Sequence, residues 1–408
     1  MAISWSSRQT APWKAPSVAI RSAFLTFVRQ IPSCMQVITL LNFLGAVQGI
    51  FLGLVIFGRS GGRRDLRLLG ALCLVVAVSI LGGVLGLSGY YRVWPHLIRI
   101  GDPLVFLYGP LLYLYARTRT GAKWRRLDWL HFIPFLLYVL NNLPFYFLST
   151  PEKVDFVDRV FRGGAVTDTV LWIAILRLLH VGAYAGASFL PLRRYRERVE
   201  ENFSNVERIN LDWLRRLLGV FLSVCIVGIV AYGLMVGNGL DFVQANNLIG
   251  LVLSFSIYLM GYKGTQTAGI FEQRGAKEKT GLQSPASVNG YQLPEQQKNR
   301  IEERLQRVFF EEEAFLQSDL TVHSLADQMD VPAYQLSNYI NSVYGENFYD
   351  FVNRHRVEKV KEKLRDPAND QYTILALAFE SGFNSKSTFN AVFKKYTGMT
   401  PSQYRKRK

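Results

Sequence analysis

Cysteine is scarce in this sequence of 408 residues, which contains three, at Cys34, Cys73 and Cys225. Each lies in or beside an apolar stretch, and their spacing is neither that of metal ligands nor C-x-x-C. The five histidines are scattered, one to a region. A phosphate-binding glycine loop and a nucleophile elbow are also lacking. We therefore expect no enzyme activity, no metal site and no cofactor, and we interpret the cysteines as small packing residues.

Acidic residues are in short supply over residues 1–290, where Lys and Arg exceed Asp and Glu by 15, whereas beyond residue 290 the excess is 1. The positive charge thus belongs to the apolar part of the chain, which points to basic loops between membrane spans rather than to nucleic-acid affinity. Residues 1–36 carry four basic residues and no apolar run followed by a cleavage site. We expect no signal peptide there. We interpret the stretch as an N-terminal tail that is either disordered or untranslated, with Met35 as the alternative start.

Long runs without charge dominate residues 37–262. A helix needs about 20 apolar residues to cross a bilayer. Seven runs are close to that length: 37–57, 68–91, about 100–116, 130–148, 169–190, 217–236 and 248–262. The third is interrupted by Gly101-Asp102-Pro103 and by Gly109-Pro110. The pattern predicts a bundle of seven transmembrane helices over residues 37–262.

The connections between these runs alternate in charge. Loops 58–67, 117–129 and 192–216 hold 4, 5 and 7 Lys or Arg residues, whereas 92–99, 149–168 and 237–247 hold 2, 3 and none. Because basic loops remain in the cytoplasm, the first set is predicted to lie there, together with residue 263. Residues 263–290 lose apolar periodicity and are rich in Gly, Lys, Gln and Ser, which predicts a flexible linker.

Residues 291–408 contain two helix-turn-helix patterns. In the second, an apolar helix face ends at Ser381-Gly382-Phe383, and Ser385 is placed to cap the next helix. That helix would bury Phe389, Val392 and Phe393 at helical spacing and expose basic and polar side chains.

In the first pattern, Thr321 is placed to cap a helix, residues 330–332 form a turn, and a helix from Ala333 to Ser342 follows with Leu336 and Ile340 inward. We predict the two units at about 320–342 and 373–397, joined by a helix from Asn347 to Arg365.

The second unit carries an ordered signature: Ala378, Gly382-Phe383, Ser385, Phe389, Phe393-Lys394-Lys395, Gly398, Thr400-Pro401 and Tyr404-Arg405. It resembles the signature of AraC-type transcription regulators, and the similarity reaches back to about Leu320, roughly a quarter of the chain. The remainder resembles the membrane-bound members of that family with a multi-spanning N-terminal region. The resemblance implies an all-α protein of the bacterial inner membrane: a seven-span bundle followed by a cytoplasmic double helix-turn-helix domain.

The function implied is that of a sequence-specific DNA-binding transcription regulator, whose bundle senses a small-molecule or membrane signal. Its implied partners are double-stranded promoter DNA, the lipid bilayer and RNA polymerase, with a homodimer as a further option. An alternative from another class is a transporter or receptor bundle with a regulatory cytoplasmic domain.

The outer faces of the second helices of the two units are expected to contact DNA bases. The candidates are Tyr334, Ser337, Asn338, Lys386, Ser387 and Asn390. The candidates for phosphate contact are Arg354, Arg356, Lys359, Lys394 and Lys395. The alternatives are that the first set contacts only phosphate or water and that the second consists of plain surface charges. Ala391 stands where relatives often place a long donor, so bidentate guanine recognition is not expected there.

Ionisable and amide side chains within the apolar runs are the candidates for a signal site. Arg177 and His180 share one face of the fifth run, and Asn141 and Asn142 lie in the fourth. Gln48 and Asp102 could complete a polar pocket. The alternative is that these groups only fix the bundle through interhelical hydrogen bonds. The outer loops are too short for a separate sensing domain, so we expect the signal to be read within the bundle.

Overall fold

The computed structural model describes residues 33–87, 94–162, 168–206, 209, 211–236, 242–270 and 293–407. Within these ranges the regular structure is helical, apart from an isolated antiparallel bridge between Phe203 and Thr321. The predicted all-α class is therefore confirmed for the described part of the chain. Residues 1–32 of the predicted tail and 271–290 of the predicted linker lie outside the described residues.

Two compact units make up the chain. The bundle unit comprises Met1–Phe189 and Trp213–Gly269, and the C-terminal unit comprises Leu190–Asp212 and Ile270–Lys408. The segment from Leu190 to Asp212, which the sequence places in a loop between two spans, thus belongs by its contacts to the C-terminal unit.

The bundle unit is built from eight described helices, the sixth of which continues into the C-terminal unit. They are α1 Ser33–Gly58, α2 Arg64–Leu87, α3 Val105–Arg119, α4 Ile133–Tyr146, α5 Thr150–Arg162, α6 Asp168–Asn202, α7 Asp212–Val236 and α8 Phe242–Ile270. Close helix contacts require small residues: a Cβ on Gly49 would lie 2.8 Å from Ala77 Cβ. The last helix continues to Ile270, so the first residues of the predicted linker are helical.

Four helices in the described residues are long and apolar enough to cross a bilayer: Val37–Gly58, Arg64–Gly86, Leu171–Asn202 and Asp212–Val236. A fifth is added if Arg126–Tyr146 and Thr150–Phe156, which meet at 116°, form one broken span. The structure thus supports four or five spans rather than the predicted seven. The third predicted span fails because residues 98–104 form turns and α3 has only 15 residues. The seventh predicted span lies in α8, which is not among these helices. Three polar residues, Gln244, Asn246 and Asn247, lie close together near the start of α8.

The bundle unit has apolar outer faces and polar groups inside. Large apolar side chains more than half exposed include Leu40, Leu44, Phe51, Trp172, Leu176 and Leu179. Asn42, Asn142 and Asn247 are instead buried, and the Asn42 side-chain amide donates to Asn247 Oδ1 at 3.3 Å. The interior is otherwise largely apolar, so the unusual feature is the large exposed apolar surface, which a water-soluble helical domain would not be expected to carry.

The C-terminal unit contains two small hydrophobic cores. Its helices are α9 Glu295–Leu305, α10 Val322–Gln328, α11 Ala333–Tyr339, α12 Phe348–Arg365, α13 Ile374–Glu380, α14 Lys386–Thr397 and α15 Pro401–Lys406. Phe348, Phe351 and Val352 from the start of α12 enter the first core. Val357 and Val360 from its second half enter the other core. One helix therefore joins the two helix-turn-helix units and contributes to both of their interiors.

Capping hydrogen bonds fix where helices begin in both helix-turn-helix units. The Thr321 hydroxyl accepts a hydrogen bond from the Ser324 amide at 3.0 Å, and the Ser385 hydroxyl accepts one from the Thr388 amide at 3.1 Å. Both predicted caps are confirmed, as are the buried positions of Leu336, Ile340 and Phe389. The second helix of the first unit ends in a π-helical turn, Ile340–Tyr344, stopped by Gly345 at φ 67°.

Candidate functional site

Helices α11 and α14 are the second helices of the two helix-turn-helix units, and we call them the reading helices. On α14, Lys386, Ser387 and Asn390 are exposed, while Phe389, Val392 and Phe393 are buried beneath them. One face of α14 is thus committed to the core, which fixes the rotation at which its polar face is presented.

The first reading helix presents a less basic surface. On α11, Tyr334 is exposed at 42%, whereas Ser337 and Asn338 are half-buried. Leu336 and Tyr339 are buried on the opposite face. Hydroxyl and amide groups can donate to or accept from base edges, but this face has no cation to attract phosphate.

Most of the predicted phosphate-binding residues already have carboxylate partners. Arg354 Nε donates to both oxygens of Glu346 at 3.1 Å, and Lys395 Nζ donates to Asp350 at 2.6 Å. Lys359 is paired with Glu313. Lys394 is exposed and, within the described residues, forms no ion pair. Lys394 is therefore the cation of this set that a phosphate could reach without first breaking an ion pair.

Arg356 is placed differently from the other four, because it is buried at 1% exposure. Its Nε donates to Phe315 O at 2.7 Å, and its Nη2 donates to Gln317 O at 2.7 Å and to Ser204 Oγ at 3.1 Å. Its Nη1 donates to Asn353 Oδ1 at 3.3 Å and to Ser204 O at 3.5 Å. The predicted phosphate contact is therefore wrong for Arg356 in this structure, since all five donors are directed inward.

Arg356 also lies close to the turn of the second helix-turn-helix unit. Its guanidinium carbon lies 6.0 Å from the centroid of the Phe383 ring. At Gly382, where φ is 90°, an added Cβ would lie 2.7 Å from Arg356 Nε and 2.8 Å from Phe315 O. Burial lowers the pKa of Arg356 to about 10, so the group is still charged at neutral pH. The buried guanidinium of Arg356 in α12 therefore contacts both the first helix-turn-helix unit and the turn of the second helix-turn-helix unit.

A cavity of about 750 Å³ lies within the bundle unit. Its polar lining includes Arg99, Asp102, Tyr138, Asn141 and Arg177, and apolar side chains such as Ile80, Val84, Phe145, Leu148 and Leu178 complete it. Its volume falls in the range of about 300–1,000 Å³ that is usual for ligand pockets. The structure thus brings Arg177, Asn141, Asn142 and Asp102, all named from the sequence, to one cavity.

Two guanidinium groups share one carboxylate in this cavity. Arg99 Nε lies 3.1 Å and Arg177 Nη2 lies 3.6 Å from Asp102 Oδ2. Both arginines also donate to the Tyr138 hydroxyl. Arg177 Nε is buried without a hydrogen-bond acceptor among the described residues. Among the described residues that line the cavity, Arg99 and Arg177 outnumber the single carboxylate of Asp102 by one charge.

His180 and Gln48 do not line this cavity. The His180 ring packs against Phe106 and Tyr184, with centroids 5.3 and 4.9 Å away, and neither of its nitrogens has a partner among the described residues. Asn142 is turned to its own helix, where its side-chain amide donates to Tyr138 O at 2.7 Å. Arg177 and His180, which the sequence predicts on one helix face, lie in different surroundings, since Arg177 lines the cavity and His180 does not.

Sequence reasoning did not single out Arg99, Tyr138 or Ser204 as site residues. Arg99 was counted only as loop charge, although its spacing of three from Asp102 indicates an ion pair. Gly101 allows the turn at residues 98–104 to approach α2, since a Cβ added at Gly101 would lie 3.0 Å from Ser79 Cα. No pattern in the sequence indicates the contacts of Ser204, because they depend on residues more than 100 positions away.

Comparison with known proteins matches residues 325–407 to a family model described as a helix-turn-helix domain. The melibiose operon regulatory protein of Escherichia coli (strain K12) is 31% identical over 87 residues, which is 21% of this chain and 28% of that protein. A protein described as an uncharacterized HTH-type transcriptional regulator of Staphylococcus aureus (strain COL) is 31% identical over 93 residues. That match covers 23% of this chain and 12% of the relative. A solved structure of a protein of unknown function from Listeria innocua is 31% identical, covers 25% of this chain and 95% of that one, and has a TM-score of 0.23.

The chain therefore spans 12% of the staphylococcal relative and 28% of the melibiose regulator. Residues 325–407, which the family model matches, include both reading helices and the connecting α12. The C-terminal part of this chain is a helix-turn-helix domain of the AraC type.

Proposed function

We propose that this protein is a membrane-embedded transcription regulator that binds promoter DNA through its two reading helices and senses a signal in its bundle unit. The observation that carries the proposal is the pair of capped helix-turn-helix units on α12, each with a polar face turned outward and an apolar face buried. Two such units on one helix can enter successive turns of a major groove. The similarity to a melibiose operon regulatory protein and to an HTH-type transcriptional regulator favours a regulator over the transporter or receptor alternative.

Base recognition is assigned to polar residues of the reading helices, of which Ser337 and Asn338 are half-buried and the others exposed: Tyr334, Ser337, Asn338, Lys386, Ser387 and Asn390. Lys can donate to guanine and Asn can pair with adenine. Lys394 is the leading phosphate contact, and Arg354, Lys359 and Lys395 follow if DNA displaces their carboxylates. RNA polymerase and a second copy of the chain remain proposed partners.

Membrane embedding is supported by the apolar outer faces of α1 and α6 and by the buried amides between α1 and α8. Lipid tails tolerate exposed Leu and Phe, whereas water does not. Loop 192–216 holds the most Lys and Arg residues of the loops, and Leu190–Asp212 belongs by its contacts to the C-terminal unit. Because basic loops remain in the cytoplasm, this favours a cytoplasmic location for that unit at a bacterial inner membrane.

The test of DNA binding uses the full-length protein in phosphatidylcholine nanodiscs with a library of random double-stranded oligonucleotides. We expect enrichment of a site with two half-sites about 10 bp apart and its loss in a Lys386→Ala, Asn390→Ala double variant. Recovery of a library indistinguishable from the input would refute the proposal. For topology, a membrane-impermeant amine reagent should reach Lys394 only after the inner membrane is opened, and labelling in intact spheroplasts would contradict the orientation.

A further inference from the structure

We infer that the cavity of the bundle unit binds an amphiphilic anion with a single apolar chain, an inference that rests on the proposed sensory role of the bundle. The charged residues in its lining are Arg99, Asp102 and Arg177, and most of the remaining lining side chains are aliphatic or aromatic, interspersed with amides such as Asn42, Asn141 and Asn246. A ligand of matching shape needs one head group that accepts hydrogen bonds and one tail that fills the apolar part.

Charge decides the sign of the head group. The two guanidinium groups are neutralised by Asp102 only in part. The Arg99 and Arg177 side chains keep 23% and 18% of their surface exposed, and both line the cavity. A carboxylate or phosphate there would balance the remaining positive charge, and a planar guanidinium suits both groups.

The tail is matched by the cavity walls. Ile80, Val84, Leu148 and Leu178 lie along the lining, and Phe145 stands beside the Arg99 guanidinium at 5.0 Å. Aliphatic and aromatic walls favour a hydrocarbon chain over a sugar or a peptide.

Direct binding to the full-length protein in phosphatidylcholine nanodiscs tests this inference, with three probes that share a twelve-carbon chain: dodecanoate, dodecyl phosphate and dodecanol. At least one anion should bind about tenfold more tightly than the alcohol, and the tighter anion identifies the head group. Inorganic phosphate alone should bind more weakly than dodecyl phosphate, because it lacks the tail. Equal binding of dodecanol and both anions would overturn the inference.

Two variants separate charge recognition from misfolding. Arg177→Gln should weaken anion binding about tenfold, and Asp102→Asn should strengthen it, because it removes the competing carboxylate. Arg193→Gln, at an exposed arginine of the C-terminal unit, should change nothing. Weaker anion binding in a folded Asp102→Asn variant would contradict the assignment. If oligonucleotide selection succeeds while every amphiphile fails, the ligand class is wrong and the regulator role stands.

A different observation, within the C-terminal unit, supports a second inference: residues 203–206 are a docking segment that locks the two helix-turn-helix units to each other. The Ser204 amide and hydroxyl both donate to Leu320 O, at 3.1 and 2.7 Å. Asn353 donates to Ser204 O at 2.9 Å. Ser204, Asn353 and Arg356 are each buried at 1% exposure.

The segment completes the hydrogen bonding of a buried cation. Two of the five Arg356 donors end on Ser204, and the others end on Asn353 and on the carbonyls of Phe315 and Gln317. Withdrawal of the segment would leave a buried guanidinium with unpaired donors beside the Gly382 turn. The two helix-turn-helix units would then be joined less tightly, and the distance between the two reading helices would be less well defined.

Hydrogen exchange of the full-length protein in nanodiscs tests the docking segment. Ser204→Ala removes the hydroxyl and keeps the backbone bonds, so exchange should rise about tenfold in residues 202–206 and also in 313–321 and 379–384. Ser223→Ala is the control, since that hydroxyl bonds only to Val220 O in its own helix. Faster exchange in 202–206 with no change in 379–384 would show a surface attachment without the proposed locking role.

Discussion

A single buried guanidinium organises the C-terminal unit. Among the described residues, no carboxylate lies within hydrogen-bonding distance of Arg356, and neutral carbonyl, amide and hydroxyl oxygens accept from all five of its donors. Lysine could not replace it, because an ammonium has three donors and no planar fork. Breaking such a buried network costs more than breaking an exposed ion pair, so Arg356 is a structural residue of the domain.

The pH dependence of folding should include a contribution from His355. Its ring packs against Phe351 and Phe309 with centroids 5.0 and 5.3 Å away, and burial lowers its pKa to about 4. Its ordinary pKa is about 6.5, so between pH 6.5 and 4 the unfolded chain binds more protons than the folded one. Stability is therefore complete above pH 6.5 and falls as the pH drops towards 4.

Urea unfolding of the C-terminal unit, followed by pulse proteolysis of the full-length protein at pH 7.5 and 5, measures this effect. Because the side chain is half-buried, we expect about 1 kcal/mol less stability at pH 5 from this group. His355→Phe should reduce the difference between the two pH values by that amount. An unchanged difference would show that other groups cause the acid sensitivity.

Gly382 is the residue at which backbone strain and packing coincide. With φ at 90° and an added Cβ only 2.8 Å from Phe315 O, Gly382→Ala should cost about 3 kcal/mol. Gly398→Ala provides the matched control, since its φ is 71° and nothing lies within 4 Å of an added Cβ. That change should cost about 1 kcal/mol, from strain alone. Equal losses for the two variants in urea unfolding would contradict the packing argument.

At the scale of elements, local signals predicted the C-terminal helices well. Thr321 and Ser385 act through the backbone three residues away, so their capping role is visible in the sequence. The α12 pattern also held a signal that was missed: Val352, Arg356 and Val360 are spaced by four and all lie inside. A cation on the core-facing stripe indicates a structural arginine rather than a phosphate ligand.

Span prediction failed where length and backbone geometry decide. Apolar composition extends through residues 100–116, but Arg99 takes a positive φ of 61° and the helix begins only at Val105. The turn is held by contacts with α2 and α4, including the bond from Ser79 Oγ to Gly101 O at 3.1 Å. Such contacts lie far apart in the chain and leave no periodic trace in it.

The two kinds of residue on α14 should give different binding phenotypes. Asn390→Ala should relax preference at one base pair, costing about 1–3 kcal/mol on the best site and little on others. Lys394→Ala should weaken binding to all sequences and lower the slope of log K against log salt by about 1. Affinity measured at several salt concentrations on the selected site and on scrambled DNA distinguishes them. Identical effects of both variants on both DNAs would contradict the assignment.

At the scale of the whole molecule, the segment that connects α6 and α7 belongs by its contacts to the C-terminal unit. The sequence pattern predicts residues 192–216 to be a basic loop between two spans. In the structure, Leu190–Asp212 instead belongs by its contacts to the C-terminal unit. Phe203 pairs with Thr321, and the Tyr195 hydroxyl donates to Ile209 O at 2.9 Å, which ties the segment back to α6. This segment lies upstream of the domain boundary predicted at residue 291.

A fragment of residues 291–408 alone, which lacks the segment Leu190–Asp212, should be less stable than the same residues in the full chain. Without Ser204, Arg356 loses two acceptors and Leu320 O loses two donors, and a buried charged group left unpaired costs about 2–3 kcal/mol. The fragment should unfold at lower urea than the same domain in the full chain, as judged by proteolysis of residues 313–384. Arg356→Met should narrow the gap, because an apolar side chain needs no acceptor. Equal midpoints for fragment and full chain would mean that the segment adds no stability, and the domain would then be complete from residue 291 onward.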